Sequence, residues 1–285
     1  MKKKHLFYIL YSLAALSFFL YYLFPSEKIG KYISYKVRTL RPGWSVQIGN
    51  IRPTFPPGLL LHSTDVLRGE TLLLESRRLK IRPELLSLFR SGKRIYFQAD
   101  MYAGEVKGES ILQGNPGKDL QVQARFEGIR LTDIAALQQM SEYQISGVLS
   151  GTLAFSREGT VAKGNCRMKI KDLNVEMGPG LFSLAKLTFS DTDAKLNLQN
   201  SQNLIIEECI AKGKQMGLNL RGSITLNQVP EKSLLNLSGT IKPHPELIAQ
   251  LGEGIAAMMF QGGAGKSEFP FHIRGSIEKP VFSMK

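Results

Sequence analysis

Four histidines, two cysteines, one Gly-Lys-Ser triplet and an adjacent pair of glutamates are the residues of this 285-residue chain best equipped for chemistry. The histidines could bind a metal, but His5, His62, His244 and His272 are scattered, and none has a companion at ligand spacing. His272 stands between Phe271 and Ile273 as the polar partner in an alternating run. Gly265-Lys266-Ser267 could cradle a phosphate only if position 260 were Gly and a strand led into a helix. Position 260 is Phe260, and the segment follows a predicted helix and leads to a predicted strand. Glu207-Glu208 could share acid–base work, but adjacent carboxylates are too common to mark a site. No G-x-S-x-G, H-E-x-x-H or local Cys–His signature occurs. Asn236-Leu237-Ser238 fits a glycosylation acceptor but falls inside a predicted strand. Cys166 and Cys209 both lie in strand-like runs, as buried free thiols or, in an oxidising compartment, as a disulfide. The residues therefore point away from an enzyme, with no catalytic, cofactor-binding or metal-binding set.

The elements around them are more informative. From Leu6 to Phe24 the chain reads LFYILYSLAALSFFLYYLF, without charge, Pro or Gly. At about 1.5 Å per residue a helix of that run spans roughly 28 Å, close to the hydrocarbon thickness of a bilayer. Backbone groups in lipid must bond internally, so a lone segment there has to be helical. Leu6, Leu10, Leu13, Leu16, Leu20 and Phe24 are the expected anchor positions. Aromatic residues crowd the far end, where amphipathic rings suit the interface. The run exceeds a signal-peptide core, and Phe24-Pro25-Ser26-Glu27 offers no A-x-A cleavage pattern, so an uncleaved anchor is expected.

Charge is distributed unevenly. Residues 1–94 hold 17 lysines and arginines against 5 acidic residues, which places +12 of the net +13 in the first third. Near an anionic lipid surface each basic residue contributes on the order of 1 kcal/mol within a Debye length. Nothing in the chain resembles a nucleic-acid motif, so the lipid bilayer is the expected partner, not nucleic acid. Ile29, Ile33, Val37 and Leu40 fall on one helical face, with Lys28, Lys31, Lys36, Arg38 and Arg41 mostly off it. That is either a helix lying on a membrane surface or one packed on a core with a solvated basic face. Basic residues stand on both sides of the anchor, so the Lys/Arg count does not settle its orientation.

After residue 44 the period of the sequence becomes 2, as in half-buried strands. Ala162, Gly164, Cys166, Met168 and Ile170 alternate with Lys163, Asn165, Arg167, Lys169 and Lys171, and similar runs cover 120–126, 145–155, 216–226 and 235–241. Sheets with one apolar and one wet face are usually antiparallel. Three further short helices are expected: 83–89, about 131–137, and a Met-rich one at 247–259. Glycines recur on the apolar face at Gly147, Gly151, Gly164, Gly222, Gly239 and Gly275. Gly in a strand leaves room for a bend, a tightly packed helix or another body. With Met258 and Met259 they outline a candidate apolar groove.

The order of these features resembles the type II secretion system protein N family (GspN). The resemblance rests on Phe24-Pro25, the amphipathic stretch, Val46-Gln47-Ile48-Gly49-Asn50-Ile51, Pro53-Thr54-Phe55-Pro56-Pro57-Gly58-Leu59, 237–243 and 271–280. The closing segment and Gly147-Val148-Leu149-Ser150-Gly151-Thr152-Leu153 are also similar to AsmA-like proteins. The resemblance implies a bacterial inner-membrane, single-pass protein with its main domain in the periplasm. For the secretion family it implies an accessory role in protein export across the outer membrane, beside other secretion-system proteins. For the AsmA-like group it implies a β-groove that accommodates lipid. The expected fold is mainly β with a few short helices: a transmembrane helix, then a long, mostly antiparallel, curved sheet forming an AsmA-like open groove or half-barrel. The expected divisions are 1–25 (tail and anchor), 26–44 (basic amphipathic segment) and 45–285 (β-rich domain).

Overall fold

The computed structural model describes residues 21–284 except Arg90, 115–118, 140–143, 177–185 and 246–267, together with His5, Phe7, Tyr8, Tyr11, Ser12, Ala15, Phe18 and Phe19. Those eight, with Tyr21 and Tyr22, are helical. Helix α1 (Ser26–Leu40) follows. The strands are β1 (Trp44–Thr54), β2 (Gly58–Arg68), β3 (Thr71–Pro83), β4 (Gly92–Met101), β5 (Gly104–Gln113), β6 (Asp119–Arg130) and β7 (Gln144–Glu158). They continue as β8 (Val161–Glu176), β9 (Lys186–Gln199), β10 (Asn203–Lys212), β11 (Met216–Thr225), β12 (Leu234–Pro243), β13 (Phe269–Ser276) and β14 (Pro280–Met284). Helix α2 (Ala135–Gln139) lies between β6 and β7.

All 14 strands form one sheet in simple sequence order, each hydrogen-bonded to its neighbours in the chain. Every pairing is antiparallel. The alternation that dictated strands also fixes register. Phe97, Gly108, Ala124, Leu153, Cys166, Leu196 and Ile206 form one row across β4–β10 on the apolar face. The adjacent row on the other face reads Gln98, Lys107, Arg125, Thr152, Arg167, Lys195 and Glu208.

The sheet is not flat. Register shifts interrupt β6, β7 and β10, and Ser63, Gly128, Gly147 and Asp172 take positive φ within strands. Bulges bend a strand and increase its twist. The result is visible at long range: Arg68, at the end of β2, donates from Nη2 to the carbonyl of Gln228 beyond β11 at 2.8 Å. Nine strand spacings would separate β2 from β11 by about 43 Å in a flat sheet.

Buried apolar residues gather toward both ends of the sheet and also at Ile129 and Leu131 where β6 ends, at Ala194 on β9 and at Ile206 on β10. Ile51, Leu61 and Ala99 are buried on β1, β2 and β4. Phe189, Ala211, Met216, Ile241 and Phe271 form a second cluster, against which Leu218, Leu220, Phe282 and Met284 pack. A fully buried Phe such as Phe271 stabilises by about 1.5–3 kcal/mol relative to an exposed one. Between these clusters the apolar row is only partly covered, and Leu153 on β7 is 36% exposed.

Two expected helices differ in detail. The 83–89 segment is a 3₁₀ turn, Leu85–Phe89. The 131–137 segment splits into a 3₁₀ turn, Leu131–Asp133, and the short α2. The expected Met-rich helix, with Met258 and Met259, lies outside the described residues, as does Gly265-Lys266-Ser267. Among the described residues no helix is long and apolar enough to cross a membrane. The expected span at 6–24 depends on Leu6, Leu10, Leu13, Leu16 and Leu20, which also lie outside them.

Candidate functional site

Three surfaces have features that could bind something: the apolar face, the polar face, and the cleft under α1. On the apolar face the expected glycines have specific neighbours. Gly151 pairs with Phe126, Gly164 with Phe155 and Gly239 with Phe271, each directly across adjacent strands. A Cβ built on Gly151 would stand 2.8 Å from Phe126 Cζ and 2.1 Å from the carbonyl of Arg167. At Gly239 the values are 2.7 Å to Phe271 Cζ and 2.2 Å to the carbonyl of Asn219. Gly108 repeats the motif with Phe97. The ring of one strand thus occupies the space its cross-strand glycine leaves, so these glycines are explained from within the sheet. Gly147 sits at the β7 bulge, Gly222 packs against the backbone of Asn236 and Leu237, and Gly275 closes β13 against Lys279. The six glycines therefore spread over β7, β8, β11, β12 and β13 rather than lining one spot.

What the apolar face does offer is continuity. Beside the row through Leu153 runs a second one, Ala99, Val106, Phe126, Gly151, Met168, Ala194 and Cys209. Its neighbour on the other flank reads Ser110, Val122, Phe155, Gly164, Leu198, Leu204 and Ile224. Ser110 is the single hydroxyl-bearing side chain in these rows. Cys166 and Cys209 belong to this surface, and burial pushes both thiols up from their ordinary value. They are free, on strands separated by β9. Two strand spacings are about 10 Å, beyond the roughly 7 Å limit between disulfide Cα atoms. The disulfide left open by the sequence is thereby excluded.

The polar face carries a groove of about 890 Å³ across β4–β10. Lys107, Arg125, Arg167 and Lys195 line one side, and Tyr96, Glu109, Gln123 and Asn165 the other. Most charges are matched. Lys107 pairs with Glu105 at 2.6 Å, Lys195 with Glu208 at 2.6 Å, and Arg125 with Glu127. The hydrogen bond from Lys107, then that from Gln98, holds the Glu105 carboxyl below its ordinary range. Glu207 and Glu208 reach the same face because of the bulge in β10, where Glu207 accepts from Asn197 at 3.1 Å. They are tied to Asn197 and Lys195 rather than to one another. Such exposed pairs contribute about 0–1 kcal/mol each and make a hydrated surface. Among the described residues no three His, Cys, Asp or Glu side chains gather as metal ligands.

Helix α1 packs against β1 and runs antiparallel to it. Gly30 lies over Ile51, and Ser34 Oγ donates to the carbonyl of Val46 at 2.7 Å. Ile29, Ile33 and Val37 of the apolar stripe are half-buried. Leu40, expected on that stripe, is exposed because the helix ends there and Arg41 caps it. Lys28, Lys31, Lys36, Arg38 and Arg41 are exposed, with Tyr32 and Tyr35 exposed among them. The Lys36 ammonium lies 5.7 Å from the Tyr32 ring centroid. A cleft of about 490 Å³ between α1 and β1 is lined by Lys31, Tyr35, Arg38 and Asn50.

Among the described residues these features define a mainly β protein, fourteen antiparallel strands in one sheet with one apolar and one ion-paired face. Comparison with protein-family models, curated proteins and solved structures finds no match.

Proposed function

We propose that this protein is a non-catalytic, membrane-tethered β scaffold whose apolar sheet face accommodates lipid acyl chains. The observation that carries the reading is the continuous apolar face, seven strands wide, which is buried at Ala99, Ala194 and Ile206 and partly open at Leu153. Contiguous apolar surface left partly open to solvent marks an interaction site. The tether is supported by the N-terminal helical residues Phe7, Tyr8, Tyr11, Phe18, Phe19, Tyr21 and Tyr22, each more than half exposed. Exposed aromatic rings stacked along a helix suit lipid and its interface rather than water. In this reading residues 6–24 cross the bacterial inner membrane and the sheet stands in the periplasm as an open groove of the AsmA-like kind. A photo-crosslinking residue placed at Leu153, compared with one at Thr152 on the opposite face, tests it in cells. Phospholipid adducts at 153 and not at 152 are expected; equal labelling, or none at 153, overturns the proposal.

A second reading, an accessory component of type II secretion, is favoured by the segments that resemble that family. Val46–Ile51 lie in β1, 53–59 form the β1–β2 corner, and 271–280 make the β13–β14 hairpin. Deleting the gene and measuring the secreted proteome tests it; unchanged export of every substrate refutes it.

A further inference from the structure

The β1–β2 corner and the β3–β4 connection meet at one end of the sheet, where the usual arrangement of polar and apolar residues is inverted. Ser87 is buried: its hydroxyl donates to the carbonyl of Glu84 at 2.6 Å and accepts from the amide of Arg94 at 2.9 Å. The amide of Glu84 in turn donates to the carbonyl of Arg94 at 2.9 Å. Held by this buried hydroxyl, the 3₁₀ turn presents Leu85, Leu86 and Phe89 outward, with Phe89 91% exposed. Phe55 in the neighbouring corner is 93% exposed. Pro56, Pro57, Arg82, Pro83 and Leu85 line one cavity of about 300 Å³, so the two apolar tips are side by side. A turn fixed by its own hydrogen bonds does not expose three large apolar side chains through lack of order. It presents them.

What they face follows from position and charge. Because α1 runs antiparallel to β1, its N-terminal residues Ser26 and Glu27 lie beside Asn50 and Ile51. Phe55 is four residues further along, about 13 Å of strand. The chain therefore leaves the N-terminal helix at the same end of the sheet as the apolar tips. The exposed basic residues Arg52, Arg82 and Lys93 surround this end, and Lys28 and Lys31 project from α1. Apolar tips within a basic collar suit the interface of an anionic bilayer, where rings enter the headgroup boundary and ammonium and guanidinium groups meet phosphate.

We propose that Phe55, Leu85, Leu86 and Phe89 form a second membrane contact, dipping into the leaflet from which the N-terminal helix emerges. This orients the first strands on the bilayer and sets the sheet at a fixed angle to it; it rests on the membrane tether proposed above, and not on lipid in the groove.

The experiment uses the full chain in vesicles of phosphatidylglycerol and phosphatidylcholine, with Trp44→Phe to remove the native fluorophore. Single tryptophans are introduced by Phe55→Trp, Phe89→Trp and, on the opposite end of the β2–β3 pair, Glu70→Trp. Lipids brominated near the carbonyl region should quench the tryptophans at 55 and 89 several-fold more than the one at 70. Equal quenching at the three positions overturns the contact. Flotation of the same preparations separates the causes: vesicles that carry the chain without quenching at 55 and 89 refute only this inference, whereas failure to float refutes the tether and the inference together. Both phenylalanines are almost fully exposed, and unchanged thermal unfolding of each variant in detergent establishes that the fold is intact. Phe55→Ser with Phe89→Ser should leave that unfolding unchanged too while broadening the orientation of the sheet measured by polarised infrared spectroscopy on supported bilayers. An unchanged orientation counts against the proposal.

Discussion

Arg68 and Gln228, 160 residues apart in sequence, are joined by a hydrogen bond of 2.8 Å between guanidinium and backbone carbonyl. Arg68 ends β2 at one edge of the strands, and Gln228 follows β11 at the opposite edge. Neighbouring strands rotate by roughly 20–25°, so nine spacings accumulate about half a turn. That rotation reverses the strand direction, and bending at the bulges in β6 and β10 shortens the separation; together they give the geometry the bond requires.

The first prediction concerns this curl. Arg68→Cys with Gln228→Cys, in a Cys166→Ala/Cys209→Ala background, should be bridged efficiently by a short bifunctional maleimide. A flat sheet would hold the positions about 43 Å apart and give no intramolecular product. Arg68→Ala should lower the melting temperature only slightly, because the bond is exposed and a single hydrogen bond to a charged group contributes about 1.5–3 kcal/mol at most.

The second concerns the Phe–Gly pairs. Gly239→Ala would place a methyl 2.2 Å from the Asn219 carbonyl and 2.7 Å from the Phe271 ring. Overpacking of this kind costs about 1–3 kcal/mol. Gly217→Ala, on β11, meets nothing closer than 3.8 Å at Lys242 and should be nearly neutral. Thermal unfolding of the two variants side by side checks the contrast.

Period-2 alternation makes the strands legible: it sets in after residue 44, and β1 begins at Trp44. The glycines were legible as positions but not as pairs, because Gly239 and its ring Phe271 are brought together by strand order rather than by local spacing. The curl was legible only as resemblance: bulges at Gly147 and at 206–209 leave no signature in hydropathy. Residues 83–89 illustrate the opposite failure. Pro83 at the start and Gly92 beyond the end mark a short helix, and the structure has a 3₁₀ turn there, Leu85–Phe89. Those punctuating residues carry no information about facing: the buried group is Ser87, and Leu85, Leu86 and Phe89 point out.

The third prediction is chemical. Cys166 and Cys209 should both titrate as free thiols, with no mobility difference between reducing and non-reducing electrophoresis. Burial raises both pKa values, so less thiolate is present at neutral pH and alkylation should be slower than for a peptide cysteine. Denaturation should restore the ordinary rate. A rapidly reacting thiol in the native chain would contradict the placement of that cysteine on the half-buried face.

The fourth concerns acid. Glu105 is held below its ordinary pKa by Lys107 and Gln98. A carboxyl depressed in the folded state contributes stability above its unfolded pKa and loses it as pH falls through the lower, folded value. Glu105→Gln should therefore flatten the acid limb of stability against pH, through a small loss at neutrality and little change at acid pH. Urea unfolding between the ordinary carboxylate range and more acid pH checks this; a steeper acid limb in the variant would reverse the assigned sign.

The last prediction separates lipid binding from folding on the apolar face. Leu153 is the most exposed member of the row that runs from Phe97 to Ile206, flanked by Ala124 and Cys166. Because it is partly exposed already, Leu153→Lys can extend its stem along the face and carry the ammonium to water, at a cost well below that of a buried charge. Melting should fall modestly, while adducts from a photoactivatable phospholipid should fall markedly, since an acyl chain would then desolvate a cation. Phe271→Lys provides the contrast. Phe271 is 2% exposed in the packed cluster with Ile241 and Met216, so the same change there should disrupt the fold itself. Leu153→Lys with full lipid labelling would mean that the apolar rows serve packing alone, and the acyl-chain reading of the face would fall.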